Sequence, residues 1–279
     1  MKIKNLENEI RKITERKENF SVLEYIQDAS VSMYTAQTSY FMSKMNVHRR
    51  QVLIELDEKN PVIIQSGAMQ WMAGDIYVGT GVKGVGDFVG KMFKGAVTKE
   101  SAIKPVYSGT GLLALEPTYK YIILMDVGSW GRKGMTIEDG LFYACSATIS
   151  QKLDRRKNLS STALGGEGFF NLSLVGNGVA ALESNVPYIE LVVAELNNEE
   201  LKIDGNLAMC WSSDLDFTVE RTTKTLIGSA ASGEGFVNVY RGTGKVLFSP
   251  VAPTSSLSQA TNTMSAKAAA KNSNTLGKK

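Results

Sequence analysis

The chain has 279 residues, 43% hydrophobic and 21% charged, which is enough apolar material for a buried core and excludes a disordered polymer. Its formal net charge of +3 belongs to the C-terminus: from Ala252 onward there are four lysines (Lys267, Lys271, Lys278, Lys279) and no acid, and the remainder balances 27 basic against 28 acidic residues, which speaks against DNA as a partner. Two cysteines exclude a secreted disulfide scaffold, and a single histidine, His48, excludes cupin-type metal centres and leaves Ser–His–Asp catalysis without a nucleophile elbow.

In chain order, Ile3, Leu6, Ile10 and Ile13 are spaced 3, 4 and 3 residues apart. That spacing predicts an amphipathic helix over 1–20, packed on the body or a partner, with a mobile helix as the alternative. No apolar run reaches the ~18 residues a membrane helix needs, and no h-region follows the charged start. A cytoplasmic protein without an integral membrane segment is the expectation.

From 21 to 251 the sequence reads as β. Short apolar runs such as 169–175 and 179–182 are separated by glycine, asparagine or proline, and between 50 and 251 no long 3.6-residue periodicity is present. The body repeats with a period near 67 residues. The stretch 165–184 recurs at 232–250 and, more weakly, at 98–117. Within it Glu100, Glu167 and Glu234 are spaced alike, and Gly-x-Gly pairs begin at Gly109, Gly176 and Gly242. Three tandem units follow, at about 50–117, 118–184 and 185–251, arranged around a pseudo-threefold axis. The Gly-x-Gly pairs are expected in hairpin turns, and Tyr121-Ile-Ile-Leu is expected to correspond to Tyr188-Ile-Glu-Leu. Residues 252–279, rich in Ser, Thr, Ala, Asn and Lys without an aromatic, are expected to be disordered.

Candidate chemistry is sparse. Glu100, Glu167 and Glu234 either cap glycine-flanked turns or converge as a hard-cation site. Gly79-Thr-Gly-Val-Lys-Gly fits G-x-G-x-x-G but lacks a βαβ setting, so it reads as a glycine-rich loop. Cys145 and Cys210 stand at corresponding places and read as core residues, Trp71, Trp130 and Trp211 as core or interface aromatics, and His48, beside Arg49 and Arg50, as a surface residue. No catalytic, cofactor or metal residue is assigned.

Several motifs in order, Gly67-Ala-Met-Gln-Trp-Met-Ala-Gly, the glycines of 79–95, Lys99-Glu-Ser and the two Gly-Glu-Gly-Phe copies, resemble the altered-inheritance-of-mitochondria protein 24 family over about 50–251. The resemblance implies an all-β, TRAP-like body related to double-stranded β-helix folds. It brings no catalytic residues. The expected role is a non-enzymatic, homo-oligomeric assembly protein with an unidentified protein partner. The alternative is a small-molecule or RNA-binding module using a cavity or sheet rim.

Overall fold

A computed structural model describes residues 2–79, 104–155, 170–204, 207–221 and 236–251. The protein is all-β with one short helix. In chain order the elements are β1 (Arg11–Lys17), β2 (Phe20–Tyr25), α1 (Ala36–Lys44), β3 (Arg49–Leu56), β4 (Val62–Ile64), β5 (Met69–Gly79) and β6 (Val106–Leu115). There follow β7 (Tyr121–Asp126), β8 (Met135–Ile137), β9 (Phe142–Ser146), β10 (Ser150–Arg155), β11 (Phe170–Val175) and β12 (Val179–Ser184). The chain continues through β13 (Val192–Asp204), β14 (Ala208–Ser212), β15 (Asp216–Arg221) and β16 (Phe236–Phe248).

Two antiparallel sheets result. One runs β1-β2-β3-β6-β4-β9-β12-β7 with β5 on β6, and the other runs β10-β11-β8-β14-β16-β13 with β15 on β16. The sheets mix units. β4 pairs with β9 of the next unit through Ile63 and Cys145, and β8 pairs with β14 of the next through Ile137 and Cys210. The cores follow the same succession. One cluster joins Val52 and Leu113 to Leu124 and Ala181, and the next joins Ile123 and Leu182 to Cys210 and Leu247. A third lies within 196–246, and a fourth sits beneath the N-terminal segment around Leu23 and Leu53. The expected pseudo-threefold grouping therefore takes the form of a series among the described residues: no ladder joins the last unit to the first.

The Gly-x-Gly pairs are not hairpin turns in the first and third copies. They lie inside continuous strands, β6 and β16, and in the second copy between β11 and β12. Each pair marks where a strand changes partners. The first half of β16 pairs with β15 and the last half with β14. Gly109, Gly176 and Gly242 all take positive φ, at 110°, 135° and 118°. The second glycine gives close approach: a Cβ on Gly178 would stand 2.7 Å from Ser146 Cβ, and one on Gly244 2.7 Å from Ser212 Cβ. In the first and third copies these are glycine kinks, not loops.

The N-terminal helix is corrected. Residues 11–17 form β1, paired antiparallel with β2. Asn5 lies in the left-handed region, its side chain accepts from Asn8, and Asn8 Oδ1 accepts from the Ile10 N–H. Such local side-chain bonds compete with helix. The stripe is still used: Leu6 and Ile13 pack on the Leu23–Leu53–Ala114 cluster. The segment thus covers one end of the repeat series, as terminal caps do in repeat proteins. The expected match of Tyr121 with Tyr188 also fails. Tyr188–Glu190 is a 3-10 turn, and the strand equivalent to β7 begins at Val192.

Candidate interaction surfaces

Helix α1 has the composition of a poor helix. It spans nine residues, its first turn holds no acid, and Thr35 at its N-cap makes no side-chain cap bond. Helices this short are marginal in water unless packing holds them. None of its residues is buried. Instead its outer face and flanks carry Met33, Tyr34, Tyr40, Phe41 and Met45, exposed by 83%, 88%, 59%, 57% and 74%. Tyr40 and Phe41 meet edge to face at 5.5 Å.

Polar bonds hold the helix in place. Ser43 Oγ donates to the Ile26 carbonyl at 2.7 Å. His48 bridges the Glu24 carboxylate through Nδ1 and the Ser43 carbonyl, 3.0 Å from Nε2. The buried Arg50 guanidinium donates to Glu24 Oε1 at 3.2 Å and to both oxygens of Asn46 at 3.1 Å. Its charged plane lies 4.3 Å from the Tyr121 ring centroid, a cation–π contact that joins this pedestal to the second unit. His48 is thus a half-buried structural residue, not the surface residue its arginine neighbours suggest. The outward aromatic face was hidden in the sequence because the α1 stretch reads as a polar, Ser/Thr-rich segment.

The second surface is a groove of about 460 Å³ beside β7, lined by residues that include Lys17, Leu124, Asp126, Trp130, Tyr188 and Val193. Here β1 meets the edge of β7 without a ladder. Lys17 Nζ donates to the Leu124 carbonyl at 3.1 Å, and the Leu124 N–H donates to the Glu15 carboxylate. Burial raises the Glu15 carboxyl above its ordinary value, against the opposing pull of Lys17 and the Leu124 N–H. Glu15 and Lys17, two apart and so on one side of a strand, replace the N–H and C=O that a neighbouring strand would offer.

The remaining candidates divide. Glu100, Glu167 and Glu234 lie outside the described residues, as do residues 80–103 with most of the glycine-rich loop, and residues 252–279. Cys145 and Cys210 are buried, and burial pushes the Cys145 thiol up to about 12 and the Cys210 thiol upward as well. Trp130 and Trp211 are core residues; Trp211 stacks on Phe217 at 5.1 Å. Among the described residues no three His, Cys, Asp or Glu side chains are grouped to hold a metal ion, and no helix is long and apolar enough to cross a membrane.

Comparisons with known proteins agree with this architecture. An uncharacterized protein of Streptococcus pyogenes serotype M6 is 27% identical over 203 residues, covering 70% of this chain and 79% of the relative. The crystal structure of a Streptococcus pyogenes protein matches with a TM-score of 0.55 and 24% identity, covering 80% of this chain and 95% of that one, which supports the fold alone. The family model described as mitochondrial biogenesis AIM24 matches residues 44–251, a span that takes in the whole succession of strands from β3 to β16. The chain belongs to that family.

Proposed function

We propose that the protein is a non-enzymatic assembly component: a rigid β body that presents surfaces to protein partners and associates with copies of itself. One observation carries this reading. Helix α1 and its flanks turn Met33, Tyr34, Tyr40, Phe41 and Met45 to solvent while polar bonds, among them those of the buried Arg50, fix them to the body. Contiguous exposed apolar surface is uncommon on monomers, and aromatic and Met side chains are enriched where proteins meet. A fixed helix also loses less entropy on docking than a mobile one.

The test is sedimentation of the full chain against a Tyr34→Ser, Tyr40→Ser, Phe41→Ser variant. The expected result is a parent heavier than a monomer, and a variant that is monomeric with an unchanged melting temperature. A parent that sediments as a monomer at micromolar concentration removes self-association from the reading.

The second reading, a small-molecule or RNA-binding module, is favoured by the 460 Å³ groove. It ranks lower because the charges there are engaged: Lys17 and Glu15 by Leu124, Asp126 by the Gly128 N–H, and Lys245 by Glu195 at 3.7 Å. A polar ligand would have to displace one of these contacts.

A further inference from the structure

The three units present the same strand edge and treat it differently. Three residues beyond the second glycine of each Gly-x-Gly pair stand Ala114, Ala181 and Leu247. Their cross-strand partners are Leu53, Leu124 and Val193. These three residues are therefore equivalent, whatever their spacing in sequence. On its far side Leu53 is paired by Ser21 of β2. Leu124 is met by Glu15 and Lys17 of β1. Val193 lies on β13, the end strand of its sheet, and among the described residues no strand covers that edge.

Within β13 the two halves also differ. Past the register shift between Leu196 and Glu199, the strand carries Glu199, Glu200 and Lys202 and a left-handed Asn198. Bulges and charges of this kind guard an edge against pairing. The first half has no bulge and one charge, Glu195. Ile189 is 92% exposed, Val192 41% and Val193 42%. Around it, from Val186 to Leu201, there are four glutamates and no lysine or arginine. Glu200 is held by Arg241 and Lys202, while Glu195, 73% exposed, makes a surface contact with Lys245 at 3.7 Å, so Glu190 and Glu195 keep the open stretch acidic. The groove described above runs beside this edge, with Tyr188 and Val193 in its wall.

We propose that the open edge at the start of β13, Val192–Ala194, with the turn that precedes it from Ile189, seats an extended segment of a partner protein, one that alternates apolar and cationic residues and adds to the sheet as a strand. β2 on β3 is the internal precedent for such a strand. Main-chain bonds to β13 supply affinity, alternate side chains enter the groove, and the cationic residues answer the glutamates. This surface is separate from α1, so it stands or falls independently of the assembly reading.

The probe is a short capped peptide of alternating valine and lysine, titrated by calorimetry into the full-length protein with amide exchange followed over 188–196. Saturable binding with slowed exchange around Val193 is expected. Val193→Lys, at an exposed position, should leave the melting temperature in place and weaken binding by about ten-fold or more. The same peptide with glutamate for lysine should not bind. Binding indifferent to Val193→Lys, or no slowing of exchange, overturns the proposal. Exchange already slow without peptide and restored by dilution would give the edge to a second copy of the chain. Exchange released by removing residues 252–279 would give it to the chain's own C-terminal segment. Either result also overturns it.

Discussion

The ammonium of Lys17 donates to the main-chain oxygen of Leu124 at 3.1 Å, across a gap of 107 residues, while Glu15 accepts from the N–H of the same leucine. Two side chains of one strand thus satisfy both polar groups of one residue on another. The bond joins the two end strands of a single sheet, β1 and β7, where no ladder forms.

Lys17→Met should therefore open the seam. The lost bond is worth about 1 kcal/mol net, which corresponds to a fall of roughly 2–4 °C in melting temperature. Amide exchange at Leu124 should accelerate while that in β12 stays slow. Unchanged exchange at Leu124 would show that the seam is held by other contacts.

Glu15 gives the seam a pH dependence of known sign. Its carboxyl is raised in the fold, so between the unfolded and folded values the native state binds more protons than the unfolded chain. Stability from this group is lost as pH rises through that window. Glu15→Gln keeps an oxygen for the Leu124 N–H and removes the partly desolvated charge. Its melting temperature should match or exceed the parent's at neutral pH, and the gain should close in acid below the ordinary carboxyl value of 4.5. Melting curves from neutral pH into acid would decide it; a variant less stable at pH 7 and equal in acid would reverse the assignment.

Glu220 should behave in the opposite way. Arg241 donates to both of its oxygens, with Nη2 at 3.0 Å, and Thr218 Oγ1 adds a bond at 2.8 Å. These bonds hold its carboxyl down at about 2. Its contribution is present above 4.5 and is lost as pH falls toward 2. A Glu220→Gln variant should be less stable than the parent at neutral pH and indistinguishable from it near pH 2. The pair is partly exposed, so added salt should shrink the neutral-pH difference.

Different features of the sequence were legible for different physical reasons. The Gly-x-Gly spacing located equivalent places in the three units, because a strand that bends sharply to change partners admits only glycine at Gly109, Gly176 and Gly242. The same pattern did not reveal a bend in place of a turn, since both need positive φ. The stripe Ile3, Leu6, Ile10, Ile13 correctly marked residues that lie on the body, but its spacing suits a helix, and the Asx bonds of Asn5 and Asn8 decided otherwise. Tyr188 was matched to Tyr121 by residue type. Strand pairing instead matches Val193 to Leu124, and only the register carries that information. Neither α1 nor the β13 edge was visible, because each is defined by what fails to cover it.

The two cysteines offer a direct check of the core. Cys145 and Cys210 are on adjacent layers, fully enclosed, and their thiols are raised by burial. Only the thiolate reacts quickly, so an aromatic disulfide reagent at pH 8 should label neither in the native protein and both in denaturant. Rapid labelling of one thiol in the native state would place that strand in a locally open region.

The pedestal of α1 provides the most demanding prediction. Arg50 is 4% exposed and faces Glu24, Asn46 and the Tyr121 ring at once. Replacing it with methionine preserves much of the apolar volume but removes the guanidinium from the Glu24 carboxylate, leaving it the contacts with His48 and Thr14. Removing one partner of a buried ion pair costs about 3–5 kcal/mol, because the other charge stays out of water. For a chain of this size that corresponds to a fall of roughly 6–15 °C. Changing both partners, Arg50→Met with Glu24→Gln, should recover much of the loss, since no carboxylate is then stranded. α1 should nevertheless remain loosened in the double variant, as Asn46 has lost both of its bonds from the guanidinium. Faster amide exchange over 36–46, with β3 and β6 still protected, would show that the polar pedestal fixes the aromatic face. A helix as protected as the parent's would mean that Ser43 and His48 hold it alone.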